Sequence, residues 1–397
     1  MITDLQAVSQ TRRVQLILLL VSAPGFFAGF ILPLQARSLG ASNLEIGGLF
    51  SLFNLMLILL RPLAGTAMDR FGRRRFLMLA VSVFLLSNFF YATAGSVPAI
   101  YGARLLHGLA TGFILLIADV LVSDWYQQTD RSYALGRNLE MQTRGSIAGA
   151  TVGFTLLGIV PDLGWQIAFA AFSLAAVGAL WLAMTVTEPP ADATGQADKS
   201  SGGPGSGGPD ALLTPGFSAI CFLTCITTAG LAAVQPVYVI WLQEHFRWPV
   251  SLLALALLPA GIAFALLPSR SSRLIGLFRI YGVMGMGLGI SATAYLLMPA
   301  IDSAVGFVML YTLAAASLAV YEPARKQLVF RDTLYYHRGG RLGRTELFAG
   351  IGATAGPLAG GWLADQWSGA VVFPVAGAAL LFGLLTVFYL HHIDADR

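Results

Sequence analysis

The chain has 397 residues and a formal net charge of +4; 56% of its residues are hydrophobic and only 11% are charged. Soluble domains carry about 25% charged residues, so this composition excludes an ordinary soluble domain and predicts a protein built for a lipid bilayer. The only cysteines, Cys221 and Cys225, lie in one apolar run and define no disulfide framework or metal site. The basic residues fall between apolar runs, so we expect no nucleic-acid role.

Twelve apolar runs are long enough to cross a membrane as helices, which requires roughly 20 residues each. We therefore predict an all-α membrane protein with twelve transmembrane helices. Apart from Arg37, Arg104 and Arg247, the 24 basic residues lie on or near one side of these spans. Basic residues favour the cytoplasmic side, which predicts a multi-pass plasma (bacterial inner) membrane protein with both termini in the cytoplasm. The predicted spans are 14–36, 44–66, 76–95, 98–122, 139–161, 164–186, 214–241, 248–268, 273–298, 300–322, 345–367 and 370–391.

Residues 65–76, between the second and third spans, read GTAMDRFGRRRF. Charged side chains at this density cannot lie in lipid, which predicts a short loop joining two membrane helices. Gly65 lets helix backbones approach closely, Gly72 allows a tight reversal, and the arginines hold the loop at the cytoplasmic surface. The spacing G-x-x-x-D-R-x-G-R-R resembles the signature loop of the major facilitator superfamily of secondary transporters.

This resemblance implies two pseudo-symmetric six-helix bundles that open a central cavity to each side in turn. It also implies a cytoplasmic gate in which the acid of the loop, here Asp69, braces the start of the eleventh helix or nearby arginines. A carboxylate at a helix N-terminus gains about 0.3–1 kcal/mol, enough to bias a conformational balance without locking it. The predicted gate residues are Gly65, Asp69, Arg70, Gly72, Arg73, Arg74, Arg131 and Glu322.

The fourth span carries three ionisable residues, Arg104, His107 and Asp119, at positions that share one helix face. Each costs about 2.5–3.5 kcal/mol inside a membrane, so their presence indicates a function. Arg104-Leu-Leu-His-Gly-x-x-x-Gly112 resembles the family's fourth-helix motif R-x-x-Q-G-x-x-x-G, which is implicated in proton coupling, with His107 in place of Gln. Imidazole changes its charge near physiological pH, so we predict proton coupling through these three residues. Interior hydrogen bonding of His107 and a structural ion pair of Asp119 are the alternatives.

An internal repeat divides the chain. Arg131-x-x-x-Leu-Gly-Arg recurs 207 residues later as Arg338-x-x-x-Leu-Gly-Arg, and the same shift relates two sets of glycines. We predict a six-helix bundle at 1–186, a flexible Gly/Ser/Pro linker at 187–213 and a second six-helix bundle at 214–397. The related glycines are Gly145, Gly149 and Gly153 in the fifth span and Gly352, Gly356 and Gly360 in the eleventh.

The eleventh span contains G-x-x-x-G-P-x-x-G-G, a pattern that drug-export branches of the family show in their fifth helix. The fifth span itself has Ala150 where proline is expected and Phe154 in place of the second glycine. Small residues at these positions also permit close helix packing without any further role.

The cavity is expected to be mainly apolar and aromatic, which suits an amphiphilic or moderately hydrophobic solute better than a sugar. The resemblance implies that some of the predicted cavity residues line the transport pathway, as the corresponding positions do in members of the family. The predicted cavity residues are Phe26, Phe30, Pro33, Asn54, Asn88, Gln142, Gln235 and Tyr238.

No phosphate-binding G-x-x-x-x-G-K-[ST] loop and no hydrolase or metalloprotease motif occurs. We therefore predict a carrier that is not an enzyme, has no cofactor and works as a monomer, and that exports a small amphiphilic solute in exchange for protons. The alternatives are proton-coupled uptake of an organic acid, metabolite or siderophore, and a receptor or assembly factor that does not transport.

Overall fold

The structure, a computed structural model, describes residues 2–125, 128–160, 162–188, 215–249, 252–331 and 338–395. Within these ranges the side chains of some residues are not described: 2–6, 61–71, 123–124, 128–133, 254, 265, 269, 272, 330–331, 338–340 and 395. The described secondary structure is helical throughout, as predicted.

Packing divides the chain into two compact units. Unit 1 consists of Met1–Ala41 and Leu52–Ser201, and unit 2 consists of Ser42–Ser51 and Gly202–Arg397. Most of the predicted linker lies outside the described residues, so the predicted domain boundaries stay a prediction. The first helices are α1 Ile2–Val21, α2 Pro24–Ser38, α3 Asn43–Phe71, α4 Arg73–Thr93, α5 Val97–Trp125, α6 Gln128–Ile159 and α7 Gly164–Thr185. They are followed by α8 Pro215–Phe246, α9 Leu253–Leu266, α10 Ser271–Leu297, α11 Ala304–Arg331, α12 Arg338–Gln366 and α13 Gly369–Ala395.

Ten stretches of the described chain are long and apolar enough to cross a membrane. The first of them, Ala7–Ser38, is formed by α1 and α2 together. Two predicted spans are not among the ten. Helix α6 contains charged residues of the repeat motif, and α9 is only 14 residues long. These two helices occupy the predicted fifth and eighth spans, so the order of helices follows the prediction although their hydropathy is weaker.

The repeat is visible in the helix boundaries, because α5 and α11 begin at Val97 and Ala304 while α6 and α12 end at Ile159 and Gln366. Both pairs are separated by 207 residues, the shift found in the sequence motifs.

The repeated glycines occupy equivalent contacts in the two units. In unit 1, Gly145 and Gly149 of α6 lie directly against the backbone of the first span at Leu19 and Ala23. In unit 2, Gly352 and Gly356 of α12 lie against the backbone of α8 at Cys225 and Ala229. A Cβ atom at any of these glycines would overlap a carbonyl group of the neighbouring helix. The glycines therefore form a seam that lets two helix backbones touch in each unit.

The core of unit 1 is formed by α1, α4, α5 and α7. Leu18 of α1 and Ala118 of α5 are buried in it, and Leu115 packs against it. The buried contact between these helices is therefore mainly apolar.

Candidate functional site

Arg104 on α5 is a buried cation of unit 1 and is only 5% exposed. Its guanidinium carbon, Cζ, lies 4.2 Å from the centroid of the Phe53 ring on α3. Such a contact is a cation–π interaction, worth about 2 kcal/mol or more when water is excluded. The aromatic face therefore supports a charge that the lipid-embedded part of a helix would otherwise disfavour.

His107 lies one turn further along α5 and shares the same aromatic ring. It is 4% exposed, and its ring centroid lies 5.3 Å from that of Phe53, 5.5 Å from that of Phe84 and 5.8 Å from that of Tyr91. Among the described residues, no group forms a hydrogen bond with its Nδ1 atom. A buried nitrogen without a partner is uncommon and leaves a position at which a proton or a polar solute group can bind.

Two glycines bring α3 and α5 close enough for this arrangement. A Cβ atom on Gly108 would lie 3.0 Å from Cβ of Met56, and one on Gly112 would lie 3.4 Å from Cδ2 of Leu57. The predicted motif therefore has a packing role as well, since its glycines place Phe53 beside Arg104 and His107.

Asp119 does not join this pair. It lies 15 residues beyond Arg104 on the same helix, which corresponds to about 22 Å along the axis. Its Oδ1 atom accepts a hydrogen bond of 2.9 Å from Nδ2 of Asn138 on α6. Asp119 therefore links α5 to α6 at a distance from Arg104. This partner is the neutral amide of Asn138 and not the cation that a structural ion pair requires.

The predicted loop at residues 65–76 is wrong in one respect, because α3 continues to Phe71 and α4 begins at Arg73. Gly72 alone separates the two helices, and its φ angle of 80° is one that glycine adopts readily. The 29 residues of α3 span about 44 Å, more than the roughly 30 Å of a hydrocarbon core. The charged residues can therefore lie in helix ends outside the lipid and need no loop.

Glu188, which the sequence reasoning missed, lies beside this turn. Its Oε1 atom accepts a hydrogen bond of 3.3 Å from the backbone N–H of Arg74, and the Arg74 guanidinium donates to the carbonyl of Met184 near the end of α7. The start of α4 and the end of α7 are thus joined by an acid at a helix N-terminus and a base at a helix C-terminus, both favourable placements. Arg73 is half-buried at the start of α4. For the predicted gate residues Gly65, Asp69, Arg70 and Arg131 the structure describes the helical backbone and not the contacts of the side chains.

Unit 2 contains a second buried cation that the sequence reasoning also missed. Arg325 on α11 is 3% exposed and forms a hydrogen-bonded ion pair with Glu322, at 3.0 Å from Nε and 2.6 Å from Nη2. Its Nη1 atom donates to Thr224 of α8 at 3.0 Å, and its Nη2 atom lies 3.4 Å from Oε1 of Glu346 on α12. Of this group only Glu322 was predicted, as a gate residue. The sequence signal that could have identified Arg325 is its position three residues after Glu322, an acid at the end of an apolar span.

The predicted cavity residues differ in their environments. Phe26 is 40% exposed, Pro33 is buried, and Phe30, Asn54, Gln142 and Gln235 are half-buried. Asn88 is buried and donates to the carbonyl of Phe84 in its own helix at 2.9 Å. Tyr238 is buried, and its ring stacks on those of Phe307 and Tyr311, at centroid distances of 5.5 and 3.8 Å.

Comparison with known proteins assigns the fold and the family. The family model of the Major Facilitator Superfamily matches residues 16–333. The chain belongs to this superfamily. It is a multi-pass membrane transporter, and transporters of this superfamily carry small solutes.

Relatives of this superfamily member include "Multidrug resistance protein 1" of Bacillus subtilis (strain 168), 23% identical over 339 residues that cover 84% of each chain. "Quinolone resistance protein NorA" of Staphylococcus aureus (strain MRSA252) is 22% identical over 369 residues, which cover 88% of each chain. A solved bacterial homologue of the human lysosomal transporter Spinster, inward-facing and occupied, has a TM-score of 0.79 at 14% identity and 96% coverage of each chain. A D-xylose–proton symporter structure has a TM-score of 0.72 at 17% identity, again with 96% coverage of each chain. At these identities the two solved structures support the fold alone.

Proposed function

We propose that this transporter exports a small amphiphilic organic compound in exchange for protons, with its termini on the cytoplasmic side of the plasma membrane. The observation that carries the proposal is the buried pair of Arg104 and His107 inside a membrane span of unit 1. Ionic groups at such depth cost about 2.5–3.5 kcal/mol each on insertion scales, and in membrane proteins they mark proton and substrate pathways.

The chemistry of the pair suits proton coupling. Imidazole is a side-chain group that can bind and release a proton, and the Nδ1 atom of His107 has no hydrogen-bond partner among the described residues. Arg104 and His107 lie against the same Phe53 ring, so a proton on His107 places two cations side by side, and they repel. Transport follows if this repulsion favours a second conformation in which the proton leaves.

Export is supported by the relatives, two of which are named for resistance to drugs or quinolones. Four of the eight predicted cavity residues are apolar or aromatic and four are uncharged amides, and this mixture supports an amphiphilic solute. The placement of the basic residues supports cytoplasmic termini.

Reconstituted vesicles with an imposed pH gradient test this proposal, with ethidium, a lipophilic cation, as the transported probe. The Arg104→Gln variant is expected to lose gradient-driven ethidium flux while remaining in the membrane, and so is Asp69→Asn in the predicted gate. Arg144→Gln is the matched control, because the Arg144 side chain is 57% exposed and pairs with Glu140. Flux that persists in both Arg104→Gln and Asp69→Asn contradicts the proposal.

Proton-coupled uptake is the second candidate. The departures at Ala150 and Phe154 from the drug-export pattern favour it. The direction of ethidium accumulation relative to the imposed pH gradient separates the two candidates.

A further inference from the structure

The polar side chains of Thr224, Glu322, Arg325 and Glu346, here called the Arg325 network, join three helices of unit 2. Through one guanidinium, α11 is bonded to itself at Glu322, to α8 at Thr224 and to α12 at Glu346. Lys326 lies 3.6 Å from Glu322 at the edge of the network. The two acids, Glu322 and Glu346, and the two bases, Arg325 and Lys326, are equal in number.

The repeat supplies an internal comparison for this network. Positions 207 residues earlier than Glu322, Arg325 and Glu346 hold Leu115, Ala118 and Leu139. The glycine seam relates α8 to the first span with a shift of 206 residues, from Leu19 to Cys225, which places Leu18 opposite Thr224. These four unit 1 equivalents are apolar, whereas Lys326 at the edge of the network has Asp119 as its equivalent.

In unit 1 the buried part of this junction is packed by apolar residues, because Leu18 and Ala118 are buried in the core and Leu115 packs against it. Leu139 is 63% exposed, and the hydrogen bond between Asp119 and Asn138 joins α5 to α6 beside it. Replacing a buried ion pair by apolar residues is often neutral or stabilising by 1–4 kcal/mol. A buried cation such as Arg325 is thus not required to fill such a junction, which points to a role of this network other than packing.

The two carboxylates are held differently. Glu322 binds Arg325 through both of its oxygens, at 3.0 and 2.6 Å, whereas Glu346 has a single contact of 3.4 Å and a side chain that is 29% exposed. Glu346 can leave the guanidinium without exposing an unpaired buried charge, because Glu322 still neutralises Arg325. Water can reach Glu346, since its side chain is not buried.

We infer that Glu346 is a proton-binding site of unit 2, which takes up and releases a proton during transport. A proton from water converts the carboxylate into a neutral acid, and its ionic contact with Arg325 is lost. Release of that proton restores the carboxylate and the contact. The inference rests on the proposed proton coupling and adds a second proton site to it, in the other repeat.

Other titratable and charged groups near the site come from each helix packed around it. They are Cys221 on α8, Tyr321, Glu322, Arg325 and Lys326 on α11, and Arg341 and Arg344 on α12; the titratable groups of α13 are His391, His392 and Asp394 at its end. Asp394 already accepts a hydrogen bond from Tyr281.

Infrared difference spectra of the reconstituted full chain, recorded between acidic and alkaline buffer, test the proton site without any solute. We expect a carboxylic-acid C=O band that is lost in Glu346→Gln and is present, slightly shifted, in Glu346→Asp. Glu140→Gln is the matched control, since Glu140 is an acid of the repeat-related helix α6 that pairs with Arg137 at 2.6 Å. An unchanged band in Glu346→Gln, or its equal loss in Glu140→Gln, overturns the inference.

Ethidium flux then tests the link to transport. The Glu346→Gln vesicles should lose flux driven by a pH gradient but keep ethidium–ethidium exchange, which needs no net proton release. Gradient-driven flux at the wild-type rate in this variant, or loss of both modes, counts against the inference. An infrared band that depends on Glu346 in a wild-type chain without gradient-driven flux supports the proton site and refutes the proposed function.

Discussion

Substitution of the seam glycines by alanine should destabilise both units. The same substitution at the glycine of the Leu-Gly-Arg motif, earlier in the same helix, should not. Gly149 on α6 and Gly356 on α12 lie in the seam, whereas Gly136 and Gly343 on the same two helices have no atom within 4 Å of an added Cβ. Each pair is related by the shift of 207 residues, so the chain offers the experiment twice, each time with its own control.

The magnitude follows from the geometry. A Cβ atom on Gly149 would lie 2.6 Å from Cα of Ala23, and carbon atoms are in favourable contact at about 3.5–4.0 Å, so the helices must separate by about 1 Å. Overpacking of this kind costs roughly 1–3 kcal/mol. At Gly136, alanine meets no atom and gains up to about 1 kcal/mol of helix propensity over glycine. The two substitutions should therefore change stability in opposite directions.

Thermal unfolding of the purified chain in detergent measures this difference. For a unit of 150–250 residues, 1 kcal/mol shifts the midpoint by roughly 2–4 °C. Gly149→Ala and Gly356→Ala should therefore unfold about 2–12 °C earlier than the wild type, and Gly136→Ala and Gly343→Ala at or slightly above its midpoint. Equal midpoints for seam and control variants would refute the close approach of the helix backbones.

Three further substitutions test the other contacts, each by thermal unfolding of the purified chain. Gly72→Ala should lower stability by about 1–3 kcal/mol, because the φ of 80° strains alanine and the new Cβ would lie 2.7 Å from Oε1 of Glu188; an unchanged midpoint would contradict this backbone geometry. Asp365→Ala should lower stability by about 0.5–2 kcal/mol. The Asp365 carboxylate accepts hydrogen bonds from the backbone N–H of Asn43 at 3.0 Å and from its Nδ2 atom at 2.8 Å, at the start of α3. Asp365→Asn keeps one acceptor oxygen and should lower stability less. Arg325→Ala alone should lower it by about 1.5–3 kcal/mol, because the hydrogen bonds of a buried guanidinium to Thr224 and Glu322 are lost. Replacing the whole network by its unit 1 equivalents should cost little, and equal losses would contradict the comparison between repeats.

Much of the fold could be predicted from the sequence, because its signals are long-range patterns. Apolar runs of about 20 residues leave a helix as the available structure in lipid, and the 207-residue repeat identified the equivalent glycines. The prediction was wrong where it read charge as loop at residues 65–76. A helix longer than the membrane is thick carries its charged end into water, and hydropathy alone cannot distinguish that helix end from a loop.

The candidate site could be predicted only where a motif marked it. Arg104 and His107 stood out as ionic residues in an apolar span, and the structure brings both to Phe53. The Phe53 contact could not be predicted, because it depends on how closely α3 approaches α5. Glu188 was missed since it belongs to no motif, and its role arises from a position beside the start of α4 that only tertiary packing creates.

The two units solve the same packing problem with different chemistry, and this difference bears on mechanism. The starts of α5 and α11, the ends of α6 and α12 and the glycine seams match, yet among the described side chains a buried cation lies on α5 in unit 1 and another near the end of α11 in unit 2. In unit 1 the repeat-equivalent of Arg325 is Ala118, and in unit 2 the equivalent of Arg104 is Tyr311, which stacks on Tyr238. Similar helix packing in two repeats suits alternating access. If transport is coupled to protons as proposed, the different charges give each unit a different response to a proton, and that difference sets an order of binding and release.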